Sequence, residues 1–136
     1  MHLYPGMKET LEDLKAMGLR LGVASYKNEH LVKACLEYLG VAGLFDSAHG
    51  SSLEEDLTKG DIIRMTLADL AAEGDEVVMI GDTQADQKGA DEAGTLFVGV
   101  SYGFGFQHRD AENGILMASS PSGIVGIIRN MNGGMI

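Results

Sequence analysis

Tryptophan is missing from this 136-residue chain, cysteine occurs once and proline twice. Basic residues are scarce as well: 10 Lys and Arg stand against 20 Asp and Glu, for a formal net charge of −10. Each shortage removes a class of protein. A single cysteine, Cys35, cannot close an internal disulfide, so the chain is no disulfide-stapled secreted domain, and a cytoplasmic setting is the default expectation. Its neighbours Leu31, Val32, Leu36 and Leu39 put it on an apolar helix face, as core rather than as a reactive thiol. Few Lys and Arg argue against nucleic acid or an anionic membrane as partner, because both need clustered positive charge. No apolar run reaches the roughly 18 residues of a membrane span. Met1 to Pro5 has no basic stretch leading into an apolar one, so a signal peptide is not expected.

What remains is an ordinary globular composition, 45% hydrophobic and 22% charged, long enough for one domain with one core. Four stretches with 3.6-residue apolar spacing each run into a glycine: Gly18, Gly40, Gly74 and Gly94. Glycine accepts the left-handed backbone just past a helix end. Met7, Leu11 and Leu14 line the first helix. Leu31, Cys35 and Leu39, with Val32 and Leu36, line the second, and Ile63, Leu67 and Leu70 the third. The fourth, about Gln84 to Ala93, is short and small-faced. A fifth opens at Ser120-Pro121, a capping residue followed by proline at the first helical position, and carries Ile124, Ile127, Ile128 and Met131. The tail from Met131 to Ile136 is expected to fray.

Between the helices lie short apolar runs, Leu19–Ala24, Leu44–Ala48, Val77–Ile80 and Leu96–Val100. They are near-continuous rather than alternating, the pattern of strands covered on both faces. Helix–strand alternation with short connections predicts an α/β fold, a three-layer Rossmann-like domain around a parallel sheet. It is unusual in offering a helix before its first strand.

In open α/β sheets, ligands gather at the C-terminal strand ends. Ser25-Tyr26-Lys27-Asn28 follows the first run, Gly81-Asp82-Thr83-Gln84-Ala85-Asp86 the third, and Ser101 to Phe106 the fourth. A carboxylate at the end of an apolar strand, as at Asp82, is costly unless paired or bound to a metal. Asp86, four residues on, can face it, and a hard cation relieves the repulsion between the two. The plainer alternative is that Asp82 or Thr83 only caps the helix. Ser25 and the N–H groups after it can hold an anion at a helix N-terminus, or Ser25 too is only a cap. Lys59 opens the third helix, the end where the helix dipole disfavours a cation; it either neutralises a ligand or is a solvated surface lysine. His2, His30, His49 and His108 show no metal-ligand spacing, and none is singled out as a base. The glycine and aromatic loop 101–106 reads as a rim.

Taken together these segments resemble the haloacid-dehalogenase-like phosphatases, and among them the phosphoglycolate-phosphatase-like members. Val23-Ala24-Ser25-Tyr26-Lys27-Asn28 is similar to the family's second motif, Lys59 stands where the third motif's lysine is expected, and Gly81-Asp82-Thr83-Gln84-Ala85-Asp86 is similar to the fourth. Leu3 to Leu11 resembles the segment returning from the cap to the core, and Ser101-Tyr102-Gly103 the loop after the next strand. The resemblance implies a phosphoric monoester hydrolase of small phosphorylated metabolites. Ser25, Tyr26 and Lys59 would hold the phosphoryl group, with Ser25 and Lys59 catalytic, and Asp82 and Asp86 would hold Mg2+. It also exposes a departure. No D-x-D occurs in the sequence, so the family's nucleophilic aspartate has no counterpart, and neither has its cap. The expectation is a core domain inactive by itself, with a non-catalytic phosphate-, magnesium- or partner-binding module as the alternative. In the family the missing strand lies between those corresponding to 19–24 and 77–80, so self-association or a rearranged sheet is expected.

Overall fold

The computed structural model describes residues 5–52, 56–100 and 117–132. Among these residues lie the helices α1 (Met7–Ala16), α2 (Glu29–Tyr38), α3 (Lys59–Leu70), α4 (Gln84–Ala93) and α5 (Pro121–Asn132) and the strands β1 (Gly22–Asn28), β2 (Ser47–Ser51), β3 (Val78–Gly81), β4 (Leu96–Val100) and β5 (Met117–Ala118), with helix and strand alternating as far as β4. All strand pairs are parallel. The expected α/β Rossmann-like class holds, with a fifth short strand that the apolar runs do not announce. α5 continues to Asn132, and the rest of the tail expected to fray lies outside the described residues.

The first two strands lie later than the apolar runs predict. Leu19 to Leu21 are engaged elsewhere. The Leu19 N–H closes α1 on the Leu14 carbonyl (3.3 Å), and Leu21 exchanges bonds with Asp46, accepting its N–H (2.7 Å) and donating to its carboxylate (2.8 Å). Both leucines still pack on the core. Likewise Ala42–Leu44 forms a 3-10 turn, so β2 begins only at Ser47.

Helix ends follow the glycine signal at Gly18, Gly40 and Gly94, all with positive φ. Gly74 departs from it. The left-handed residue after α3 is Ala71, at φ 51°. Gly74 instead opens a 3-10 turn packed on the end of α4, where a β-carbon would sit 2.6 Å from the Gly94 carbonyl.

The core lies where α1 and α5 cover the second group of strands: Leu14, Val98, Val100, Ile124, Val125 and Ile128 are all buried. Burying one such side chain contributes about 1.5–3 kcal/mol. On α3, Ile62, Ile63, Thr66 and Leu70 are buried. On α2 only Val32 is fully buried, Cys35 is partly covered, and Leu31 remains 51% exposed, so the apolar face expected there is only half used.

The strands form two sheets, β1-β2 and β3-β4-β5, rather than one. Val78, Met79 and Ile80 on β3 and Val23 and Ala24 on β1 are only half-buried, although their sequence reads as strand covered on both faces. The cause is local: among the described strands, β1 and β3 each have a neighbour on one edge only.

Candidate functional site

Three separated segments converge beyond the C-terminal ends of β1 and β3. The first is the end of β1. The strand runs on through Ser25 to Asn28, with a register irregularity between Ala24 and Asn28. The segment expected to follow the strand is therefore part of it. Asn28 caps α2 by accepting the His30 N–H (3.0 Å), so Ser25 is not that helix's cap. Ser25 Oγ accepts the Lys27 N–H (3.1 Å), which leaves its own hydroxyl proton for another acceptor.

The second segment is the start of α3. Thr58 is its N-cap in a capping box with Asp61, so Lys59 is the first helical residue. Lys59 is only 8% exposed, which removes the solvated-surface reading. Its N–H donates to the Tyr26 hydroxyl (3.0 Å), and its Nζ lies 5.4 Å from the centre of the Tyr26 ring, within cation–π range.

The third is the turn from β3 into α4. Thr83 is the N-cap, and Asp86 completes the capping box. Asp86 Oδ2 accepts the N–H groups of Asp82 (3.2 Å) and Thr83 (3.3 Å), while Oδ1 pairs with Lys59 Nζ at 2.9 Å. A carboxylate in the first turn is also favoured by the helix dipole. Thr83 thus caps the helix, as the plainer reading allowed, and Asp86, which closes the capping box, holds the turn that presents Asp82. Asp82 is partly buried at the strand end.

Glycines permit this closeness. A β-carbon at Gly89 on α4 would stand 2.7 Å from Lys59 Cγ, and one at Gly81 would overlap the Asp86 carboxylate. The lysine stem passes over the helix backbone because no side chain intervenes.

Ser25, Tyr26, Lys59, Asp82 and Asp86 therefore lie along one edge, and three of them, Tyr26, Lys59 and Asp86, are directly linked. Loop 101–106 lies outside the described residues, as do His2, His108 and residues 1–4. Among the described residues no group of three or more His, Cys, Asp or Glu is arranged to hold a metal. The acidic pair by itself suits only a cation that keeps most of its water.

A second polar cluster was not legible in the sequence. His49 on β2 meets Glu29 of α2 through Nδ1 (2.8 Å) and Asp69 of α3 through Nε2 (2.5 Å), and Ser47 Oγ donates to the same Asp69 oxygen (2.7 Å). Burial works to lower the His49 pKa, but the hydrogen bonds to Glu29 and Asp69 and their negative charge outweigh it, and the pKa is raised. Hydrogen bonding to His49 lowers the Glu29 pKa, and bonds from Ser47 and then His49 lower that of Asp69. The available signal was the two-residue spacing of Ser47 and His49, which puts both on one face of a strand. Their acidic partners come from distant segments.

The model of the haloacid dehalogenase-like hydrolases matches residues 1–100. Phosphoglycolate phosphatase from Rhodospirillum rubrum is 37% identical over 103 residues, covering 75% of this chain and 43% of that protein. Tyrosine-protein kinase PtkA from Mycobacterium tuberculosis is 33% identical over 104 residues, covering 76% and 36%. The crystal structure of a predicted phosphatase from Clostridium acetobutylicum aligns with a TM-score of 0.77 at 36% identity, over 85% of this chain and 55% of that one. The chain thus spans about half the length of its relatives or less. No helix among the described residues is long and apolar enough to cross a membrane.

Proposed function

The chain belongs to the haloacid dehalogenase-like hydrolases, and from that premise we propose that its strand-end site binds the phosphoryl group of a small phosphate monoester together with Mg2+. The observation that carries this reading is the link from the exposed Tyr26 to the buried pair of Lys59 and Asp86, which joins three distant segments at the ligand edge. A lysine ammonium has three donors. With one on Asp86, two remain for phosphate oxygens, and the Ser25 hydroxyl supplies another.

The donor set fits magnesium, which commonly takes one or two carboxylates plus water and substrate phosphate. Asp82 would be the direct ligand. Asp86, already committed to Lys59 and two backbone N–H groups, would orient the turn and share the charge. When bound, Mg2+ would offset the phosphoryl charge. Lys59, held against Asp86, would keep its ammonium aimed at the same group, and Ser25 would fix the phosphoryl orientation.

This is the charge-stabilising half of a phosphatase site. No D-x-D occurs in the sequence, so the attacking carboxylate is assigned to none of these residues, and the chain by itself is expected not to turn over. The similarity to phosphoglycolate phosphatase supports a small phosphorylated acid as the substrate class of the complete site.

Calorimetric titration of Mg2+ in the presence of inorganic phosphate tests the reading. Binding is expected in the chain as it stands, weakened at least tenfold by Asp82→Asn. Loss of phosphate affinity is expected in Lys59→Met. Absence of phosphate binding with and without Mg2+ sinks the proposal. Hydrolysis of p-nitrophenyl phosphate that Asp82→Asn abolishes would show that a nucleophile is present and that the half-site description is wrong.

A further inference from the structure

His49 and its partners take no part in the strand-end site, yet they join the segments that carry its donors. His49 stands on β2 beside Ala24, its register partner on β1. Its Nδ1 meets Glu29, the first residue of α2, at 2.8 Å, and its Nε2 meets Asp69, next to the last residue of α3, at 2.5 Å. Both partners are carboxylates, which when ionised only accept. A neutral imidazole has one N–H and one lone pair, so it satisfies one of them and turns a lone pair on the other. Only the imidazolium donates to both. The remaining groups leave this demand in place. Lys33 of α2 lies 3.6 Å from the second Glu29 oxygen, Ser47 Oγ donates to Asp69, and β1 adds one charged residue, Lys27. The His49 side chain is only 18% exposed, so water replaces a lost bond poorly.

Each tie leads to the strand-end site. Glu29 directly follows Asn28, the cap of α2, and Lys27, whose N–H bonds to Ser25 Oγ. The backbone there is pressed against β2: a β-carbon at Gly50 would overlap the Lys27 carbonyl oxygen and stand 2.8 Å from the Glu29 nitrogen. The hold of β2 on Glu29 therefore bears on where the Ser25 hydroxyl lies. Asp69 shares α3 with Lys59, near the opposite end of the helix. At about 1.5 Å per residue the two are about 15 Å apart, and a rigid helix carries a tilt at one end to the other.

Resting on the phosphoryl-binding reading above, we propose that His49 is a positioning residue of that site: donating through both ring nitrogens, it holds α2 and α3 in the arrangement that brings Ser25 and Lys59 onto one anion. Loss of its proton releases one of the two ties, and the donors move apart. Anion affinity is therefore greatest where His49 is charged. It falls as pH rises through the folded pKa of His49, which its two carboxylates hold above the ordinary value. By linkage, a bound anion must hold the proton on His49 by the same factor.

Sulfate is the probe, because it keeps both charges over the range in which phosphate itself titrates. Its affinity, measured by calorimetry at constant ionic strength from about pH 5.5 to about pH 8.5, should be about fivefold higher at the acid end. The Cε1–H resonance of His49, assigned by its loss in His49→Asn, should titrate about 0.7 pH higher with saturating sulfate, which is the same factor. In Asp69→Ala the imidazole faces one carboxylate and needs one N–H, so sulfate should no longer move this titration. His30→Gln, which alters the other described histidine, should keep the full pH dependence. Sulfate bound equally well at every pH would overturn the role of His49 and leave the phosphoryl site standing. Absence of sulfate binding at every pH would sink both. A titration that sulfate still moves in Asp69→Ala would assign the effect to direct charge, and loss of the pH dependence in His30→Gln would assign it to that histidine; either overturns the proposal.

Discussion

The Nζ of Lys59 lies 2.9 Å from Oδ1 of Asp86, and each residue is only 8% exposed. Removing one partner from such a pair leaves a buried charge without compensation, at a cost of about 3–5 kcal/mol. Lys59→Met is therefore expected to destabilise the fold by about 3 kcal/mol. Adding Asp86→Asn to that variant should return part of the loss, because the remaining charge is gone while one amide acceptor is kept. Urea unfolding of the two single variants and the double variant measures the coupling, expected at about 1–3 kcal/mol. Additive effects would show that the two residues do not act as a pair.

Tyr26 determines where that lysine begins. Its hydroxyl accepts the Lys59 N–H at 3.0 Å, at a first helical turn whose donors have no partner within the helix. Tyr26→Phe leaves this partly buried donor unmet, for an expected loss of about 1–2 kcal/mol. Phosphate affinity should fall with it, because the ring that flanks Nζ stays but the anchoring of the backbone is lost. A thermal melt and a phosphate titration on the same sample check both. Unchanged values in both would place the hydroxyl outside the site.

The sequence revealed Ser25 and Asp82 because each follows an apolar run just before a helix, Asp86 because it stands four residues past Asp82, and Lys59 because it is a cation at a helix start. It could not show that Asp86 bonds to Lys59, since that contact depends on how α3 and α4 lie against each other, and hence on the absence of a side chain at Gly89. The strands were legible as apolar runs, but β1 and β2 shifted because Leu19 and Leu21 serve a helix end and a loop contact as well as the core, and Leu44 lies in a 3-10 turn. Hydropathy does not distinguish these uses. His49 was missed for the opposite reason: its surroundings are local to the fold and remote in the chain, with Asp69 20 residues away. Ala71 in the left-handed region, where Gly74 was the expected helix stop, shows the same limit.

Two glycine replacements should act in opposite directions. In a helix interior Gly→Ala gains about 1 kcal/mol where space allows. Gly126 on α5 is exposed and has nothing within 4 Å of an added β-carbon, so Gly126→Ala should stabilise by about 0.5–1 kcal/mol. At Gly89 the same carbon would meet Lys59 Cγ at 2.7 Å and Ile63 Cδ1 at 3.1 Å. Overpacking of this kind costs about 1–3 kcal/mol and outweighs the helix term. Gly89→Ala should lower the urea midpoint and weaken phosphate binding, while Gly126→Ala raises the midpoint and leaves binding unchanged. A stabilising Gly89→Ala would mean that Lys59 can move aside freely.

The His49 cluster gives stability a pH dependence with two limits. His49 has a raised pKa in the folded chain, against about 6.5 when unperturbed. Above about pH 6.5 the unfolded chain gives up this proton while the folded chain still holds it. Its contribution is therefore fully present below that pH and declines as pH rises through the folded value. Glu29 and Asp69 have lowered pKa values, so their contribution is present above their ordinary carboxylate range, near pH 4–4.5, and is lost as pH falls through the folded values. The cluster as a whole stabilises most between these limits, in mild acid. Urea midpoints measured from pH 4 to pH 9 should peak there and decline on the alkaline side. In His49→Asn, which keeps a polar side chain on β2 but cannot carry the charge, the alkaline decline should flatten. The acid-side decline should flatten as well, since Glu29 and Asp69 lose the cation that holds their protons off. An unchanged alkaline limb in His49→Asn would assign the decline to another group.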